Sequence, residues 1–310
     1  MCIRDSKTGE WKVPVGGMGN VARELERVAR KNGAEMLTRV EIQSLAVESK
    51  RPSVAFECDG RPHSVETRFL LVNFGQNVLS RYTGQPWQPN ATDEGSVFKI
   101  NMLLRCLPKL KATAHTSAEA FCGTFHCDEG YAQMKLSHAQ AIGGSLPERP
   151  PCEVYCHTLT DDSILSPALR SQGFHTMTLF GLDTPWSLFS ASNTATREKV
   201  QQRFFDGMNR WLEEPLEDCL AVARDGSRCV ESKSPVDLEE ALGMYHGNIF
   251  QSSLTFPFAE SPEQAGTWGV ETKFANVLLC GSSAQRGGAV SGIPGHNAAM
   301  RVLEMTSHTR

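Results

Sequence analysis

Three features are missing from this sequence, and each absence narrows what the chain can be. No stretch approaches the roughly 20 consecutive apolar residues of a membrane-spanning helix, and mean hydropathy is −0.30. A bilayer span is therefore not expected, although peripheral membrane contact stays open. No long run of either charge occurs, and 31 basic residues nearly balance 35 acidic ones for a net charge of −4. Binding to nucleic acid or to an acidic membrane thus gets no electrostatic support. No G-x-G-x-x-G occurs anywhere, so the usual cradle for a dinucleotide pyrophosphate is lacking. Internal repeats and low-complexity tracts are also absent. The ten cysteines are scattered and follow no secretory signal, which reads as reduced thiols in a cytosol-like compartment, or the mitochondrial matrix if the source is eukaryotic.

What is present is concentrated near the end. Val277-Leu278-Leu279-Cys280 is a short apolar run that reads as a buried strand, and from Pro294 good helix formers carry apolar groups at helical spacing. Between them lies a loop with Gly281, Ser282, Gly287, Gly288, Ala289, Val290 and Gly292, closed by Gly295. Glycines at a strand-to-helix junction let backbone amides approach a ligand, and a helix start offers unpaired N–H groups to an anion or a carbonyl oxygen. The same residues could equally form a plain tight turn.

Earlier in the chain, Gly16-Gly17-Met18 precedes a helical segment from Asn20 to Asn32. Its Val21, Leu25, Val28 and Ala29 form one face expected to pack inward, with Gly33 ending the helix. Strands are expected at 34–38, 40–47, 54–58 and 69–72, with Asp59-Gly60 as a hairpin turn. From about Asn77 to Gly95 the composition turns to Pro, Gly, Thr, Asn and Trp, a crossover signal. Beyond it come strands at 97–103, 154–158 and 175–182 and a helix candidate at 130–143. A long helix at 197–213 should turn Val200, Phe204, Met208 and Trp211 inward. Ser234-Pro235-Val236-Asp237 has the N-cap, proline and early acid that open a further helix.

These segments, in this order, resemble the phytoene desaturase-related FAD-dependent oxidoreductases, and within them the pyridine nucleotide-disulfide oxidoreductase domain-containing protein 2 branch. Gly16-Gly17-Met18, the amphipathic helix, Gly33-Ala34 and Val40-Glu41-Ile42 are similar to one family block. Asp161 to Pro167, Ser234 to Glu239 and Gly243 to Ile249 are similar to others. The loop from Gly281 to Gly295 resembles the C-terminal flavin-contacting motif, with Gln285-Arg286 where the family usually has His-Pro and Ala289 for a glycine. The resemblance implies an α/β protein with an α+β substrate domain inserted in a discontinuous, partial FAD/NAD(P)-binding Rossmann-like domain. It divides the chain into 1–76 with 250–310 for FAD and 77–249 for substrate. Strands 40–47 and 277–280 are then expected to share a sheet region.

By the same resemblance FAD is the cofactor and the substrate is an apolar small molecule. Val40 would meet the adenine through its backbone, and the loop residues would meet the isoalloxazine. The family opens with the G-x-G-x-x-G unit that this sequence lacks, so the chain resembles the C-terminal part of such an enzyme, truncated. The alternative is a non-catalytic remnant or binding module of the same fold. No catalytic side chain is implied.

Cys122, His126, Cys127, Cys152, Cys156 and His157 are of metal-ligand type, but their spacing fits no closed zinc set, so no metal is expected. A Cys–His nucleophile pair cannot be tested by spacing. Asp161-Asp162 reads as a turn or cap rather than an acid–base pair. His296 is either a flavin-side group or a solvent-facing one.

Overall fold

The computed structural model describes residues 3–4, 11–12, 14–89, 93–251, 259, 261–285 and 291–307. Along the chain the strands are β1 (Ile3–Arg4), β2 (Trp11–Lys12), β3 (Val40–Ala46), β4 (Ser53–Cys58), β5 (Arg61–Glu66), β6 (Leu70–Val72), β7 (Phe98–Leu104), β8 (Thr124–Cys127), β9 (Cys152–Tyr155), β10 (His175–Gly181), β11 (Val230–Lys233) and β12 (Val277–Leu279). The helices are α1 (Met18–Lys31), α2 (Gln76–Thr83), α3 (Ser117–Phe121), α4 (Tyr131–Ile142), α5 (Pro167–Ser171), α6 (Asn193–Asn209), α7 (Leu216–Cys219), α8 (Pro235–Leu242) and α9 (Ile293–Ser307). The protein is mixed α/β, and no described helix is long and apolar enough to cross a membrane.

The chain divides into two compact units, Met1–Glu35 with Ser96–Val236, and Met36–Gly95 with Asp237–Arg310. These boundaries fall elsewhere than the expected 76/77 and 249/250. Particular contacts account for the difference. The Gly16 N–H donates to the Asp161 carboxylate at 2.7 Å, which ties the start of the chain to the first unit. In the second unit Asn77 donates to the Gly243 carbonyl at 2.9 Å, Trp87 meets Tyr245 edge-on at 4.8 Å, and the Gly95 N–H donates to the His246 carbonyl at 3.0 Å. Residues 77–95 are therefore held to the segment after 237.

The first unit is built on an antiparallel sheet in the order β11-β7-β10-β9-β8. Alternation along β7 buries Phe98, Ile100, Met102 and Leu104 and leaves Lys99, Asn101 and Leu103 half-buried. Register carries the apolar face across the sheet: Ile100 lies opposite Leu179, and Leu179 opposite Val154. Helix α6 covers that face with Val200, Phe204, Phe205 and Met208. Trp211, expected inward, is 51% exposed, whereas Leu212 is buried. The helix ends at Asn209, so the 3.6-residue period no longer applies at 211.

Helix α1 also departs from expectation. Gly33 does terminate it, at φ +88, but no α1 side chain is fully buried: Val21 and Ala29 are half-buried, whereas Val28 and Leu25 are exposed, Leu25 at 67%.

In the second unit β3-β4-β5 form an antiparallel sheet and β12 pairs in parallel with β6. Asp59 and Gly60, both with positive φ, make the tight β4–β5 turn and set Cys58 opposite Arg61. That turn explains β5, whose residues are all exposed and carry no apolar pattern. Residues 34–38 form no strand. Strands β3 and β12 belong to separate sheets rather than one, yet Leu45 and Val47 join Val72, Leu79, Val277 and Leu279 in a single apolar cluster. Burial, not strand pairing, brings them together.

Gly181 gives a test of the first unit's packing. A Cβ there would lie 2.0 to 2.8 Å from three ring atoms of Phe204. Gly181→Ala is expected to destabilise the unit by about 1–3 kcal/mol through overpacking. Combined with Phe204→Leu it should cost less than the two single changes summed, as read by urea unfolding.

Candidate cofactor site

Strands β6 and β12 lie side by side and run the same way, so their carboxyl ends open at the same edge of the second unit. Each runs through a glycine-bearing turn towards a helix, β6 into α2 and β12 into α9. In open α/β sheets this edge is where ligands collect, because helix starts there present unpaired amides. Gly75, the N-cap of α2, supplies no side-chain cap, and neither helix has an acidic residue in its first turn. The α2 start keeps its partial positive charge available, while at the α9 start the Ser291 hydroxyl accepts from the Ile293 N–H at 3.2 Å.

Backbone and side-chain bonds lock the two turns together. The Cys280 N–H donates to the Val72 carbonyl at 2.8 Å, and the Ser283 hydroxyl donates to the Phe74 carbonyl at 3.1 Å. Gly281 lies so close to Asn73 that a Cβ would sit 2.0 Å from its Oδ1 and 2.6 Å from its carbonyl oxygen. Its missing side chain is thus used by the neighbouring strand end. Ser282 is half-buried and its hydroxyl oxygen accepts from the Gln251 amide. Gln251 itself sits at φ +60, a backbone state unfavourable for a non-glycine residue.

Gly292 has φ +75, and among the described residues nothing lies within 4 Å of where its Cβ would be. Glycine is favoured there by backbone conformation. Gly287, Gly288, Ala289 and Val290, the centre of the loop, lie outside the described residues. Val40 is half-buried at the first position of β3, opposite Cys58. Further along, the Ile42 carbonyl accepts from the Tyr82 hydroxyl at 3.2 Å, which connects β3 to α2. His296 is exposed, with its ring 6.5 Å from that of Trp268.

Gln251, Asn73 and Ser283 shape this junction and were not legible as site residues. Only Asn73-Phe74-Gly75 carried a signal, a strand ending in glycine before a helix, echoing the Cys280-Gly281 pattern. Burial pushes the Cys280 thiol up, so near neutral pH it is a protonated thiol and no nucleophile.

The first unit's candidates resolve differently. Cys127 and Cys152 face one another across β8 and β9, both buried. The hydrogen bond from Cys127, then burial, push the Cys152 thiol well above its usual range, and burial raises Cys156. The Asp161 carboxylate accepts from the Ser163 N–H and hydroxyl and from the Gly16 N–H, a turn-capping role.

No protein-family model matches the chain. It is similar to an uncharacterized protein of Mycobacterium tuberculosis, 41% identical over 307 residues, with 98% of this chain and 57% of that protein covered. It is also similar to the rat pyridine nucleotide-disulfide oxidoreductase domain-containing protein 2, 26% identical over 312 residues, covering 94% of this chain and 51% of that protein. The chain spans about half the length of the curated relatives it matches. Among solved structures, a flavin-dependent brominase overlaps 97% of this chain and 58% of its own at TM-score 0.48 and 11% identity. Overlap at that level is too low to establish a shared fold or activity.

The strand-end lock can be measured. Ser283→Ala removes a buried hydrogen bond and leaves the Phe74 carbonyl short of a donor, so it should cost about 0.5–1.5 kcal/mol in denaturant unfolding. Gly281→Ala should cost more, because its Cβ meets backbone oxygen that cannot rotate away.

Proposed function

We propose that this chain is part of an FAD-dependent oxidoreductase, of the phytoene desaturase-like kind that dehydrogenates an apolar substrate. The observation that carries the reading is the pair of parallel strands β6 and β12, each leading through a glycine turn to a helix start without acidic residues. Such an edge suits a flat ligand with carbonyl oxygens on one side. The pyridine nucleotide-disulfide oxidoreductase domain in the rat relative's name supports the same reading.

The residues present fit a flavin in two respects. Neither helix start carries an acidic side chain in its first turn, and no described residue lies within 4 Å of where a Cβ on Gly292 would be. In this proposal the backbone from Gly287 to Gly292 binds the isoalloxazine carbonyl edge, with Gly281 and Ser282 at the preceding turn. Val40 holds the adenine by its backbone, and FAD, when bound, accepts the electrons of the dehydrogenation. The protein's work is orientation. Gln251 holds Ser282, and the Ser283 and Cys280 bonds keep the β12 turn against the end of β6. The domain that receives the flavin is discontinuous, formed by the strands on either side of the inserted segment. Units of this kind keep cofactor-binding loops on a rigid sheet while a separate domain contacts the substrate.

The sequence carries no pyrophosphate loop, and the most strongly charged flavin contacts would be lost without one. The 310-residue chain is therefore expected to purify colourless and to bind added FAD weakly by fluorescence quenching. Fused behind a strand–G-x-G-x-x-G–helix unit of the family pattern, it should purify yellow. In that form Gly292→Val, which forces a branched side chain into a positive-φ site, should weaken FAD binding about tenfold or more, equivalent to about 1.4 kcal/mol. Gly288→Val should abolish the colour. A long form that never acquires flavin, or one indifferent to both changes, would sink the proposal.

A further inference from the structure

On the outward face of the first unit's sheet, register sets His126 of β8 directly opposite Glu153 of β9. Three residues after His126 the chain brings Glu129 back to the same spot, just before α4 begins. One ligand atom each from His126, Glu129 and Glu153 lie within 4.8 Å of one another. His126 Nδ1 contacts Glu129 Oε2, and Glu153 accepts from the Tyr155 hydroxyl. The second Glu129 oxygen, Oε1, is shielded from solvent and has no hydrogen-bond partner among the described residues.

This arrangement lacks the counter-charge its carboxylates call for. The nearby guanidinium groups of Arg149 and Arg210 are both engaged by Asp128, and among the described residues neither Glu129 nor Glu153 forms a bridge to a lysine or arginine. An unpartnered carboxylate oxygen shielded from water is costly, and a cation offsets that cost directly. Two carboxylates and one imidazole nitrogen are donors for a divalent first-row transition ion rather than for magnesium or calcium.

We infer that His126, Glu129 and Glu153 form a binding site for a divalent transition-metal ion of the zinc class. Donors bound at about 2.1 Å to one ion lie about 3.0–3.4 Å from one another, so the short His126–Glu129 contact has to open while the wider separations narrow. Rotation of these side chains, two half-buried and one exposed, closes the set. Glu129 then turns Oε1 to the ion, and His126 Nδ1 exchanges its contact with Glu129 for the metal. His126 is 51% exposed, so water fills the remaining positions and the site is open. The cysteines take no part: Cys127 and Cys152 are the next pair in register and point to the opposite, apolar face.

Cobalt(II) separates this site from the thiols. The chain, stripped with chelator, is titrated with Co²⁺ and the spectrum recorded, then Co²⁺ is displaced by Zn²⁺ and the metal counted by elemental analysis after gel filtration. Saturable binding of one ion per chain is expected, with weak visible d–d bands and no intense thiolate-to-cobalt charge-transfer band. Glu129→Gln and Glu153→Gln should each weaken binding about tenfold or more, while melting like the unaltered chain without metal. Cys122→Ala should leave binding unchanged. A thiolate band, an absence of saturable binding, or unchanged affinity in both glutamate variants would overturn the inference.

Discussion

The parallel pairing of β6 with β12 is the constraint on which the second unit rests. It joins segments so far apart that the Ser283–Phe74 bond beside it spans 209 residues of chain. Closing such a loop carries an entropic cost, though one that grows only slowly with length. Burial offsets it: every residue of β12 is buried, and Val277, Leu278 and Leu279 share their cluster with Val72, Leu79, Leu45 and Val47. Once the strands are paired, their carboxyl ends, the two turns and the starts of α2 and α9 follow.

That pairing also sorts the glycines of the region by cause. Gly281 is small because Asn73 occupies the space a side chain would need, so its role is to seat β12 against β6. Gly292 is favoured as glycine because its backbone has positive φ, with no described residue within 4 Å of where its Cβ would be. The first kind of glycine builds the junction and the second answers a backbone conformation. A glycine-rich stretch in a sequence looks the same in either case.

The first unit depends on a different device, the two-residue period of an antiparallel sheet. One face is apolar and covered by α6, and the other carries Lys99, Phe180, Glu153 and His126 in a single row across β7, β10, β9 and β8. Lys99 lies 5.8 Å from the centre of the Phe180 ring, so the row is neither a simple solvated surface nor a second core. The His126, Glu129 and Glu153 cluster sits at one end of that row. Scanning Cys and His spacing misses it because two of its three members are glutamates, and Glu153 reaches His126 only across strands.

Local chemistry was legible in the sequence. The buried β12 run, the start of α9, the Asp59-Gly60 turn, the end of α1 at Gly33 and the alternation of β10 all follow from residue spacing and backbone preference, which act over a few residues. Ordered blocks also made the flavoenzyme resemblance readable over most of the chain. Long-range partnership was not legible. Tertiary packing decided that β3 and β12 share a core without sharing a sheet, that Trp211 stays out while Leu212 goes in, that Leu25 of α1 stays exposed, and that residues 77–95 belong with the segment after 237. It also decided that Gln251 holds Ser282 and that Glu153 meets His126. Each of these depends on which distant segment occupies the neighbouring space, and periodicity within a segment carries no record of that.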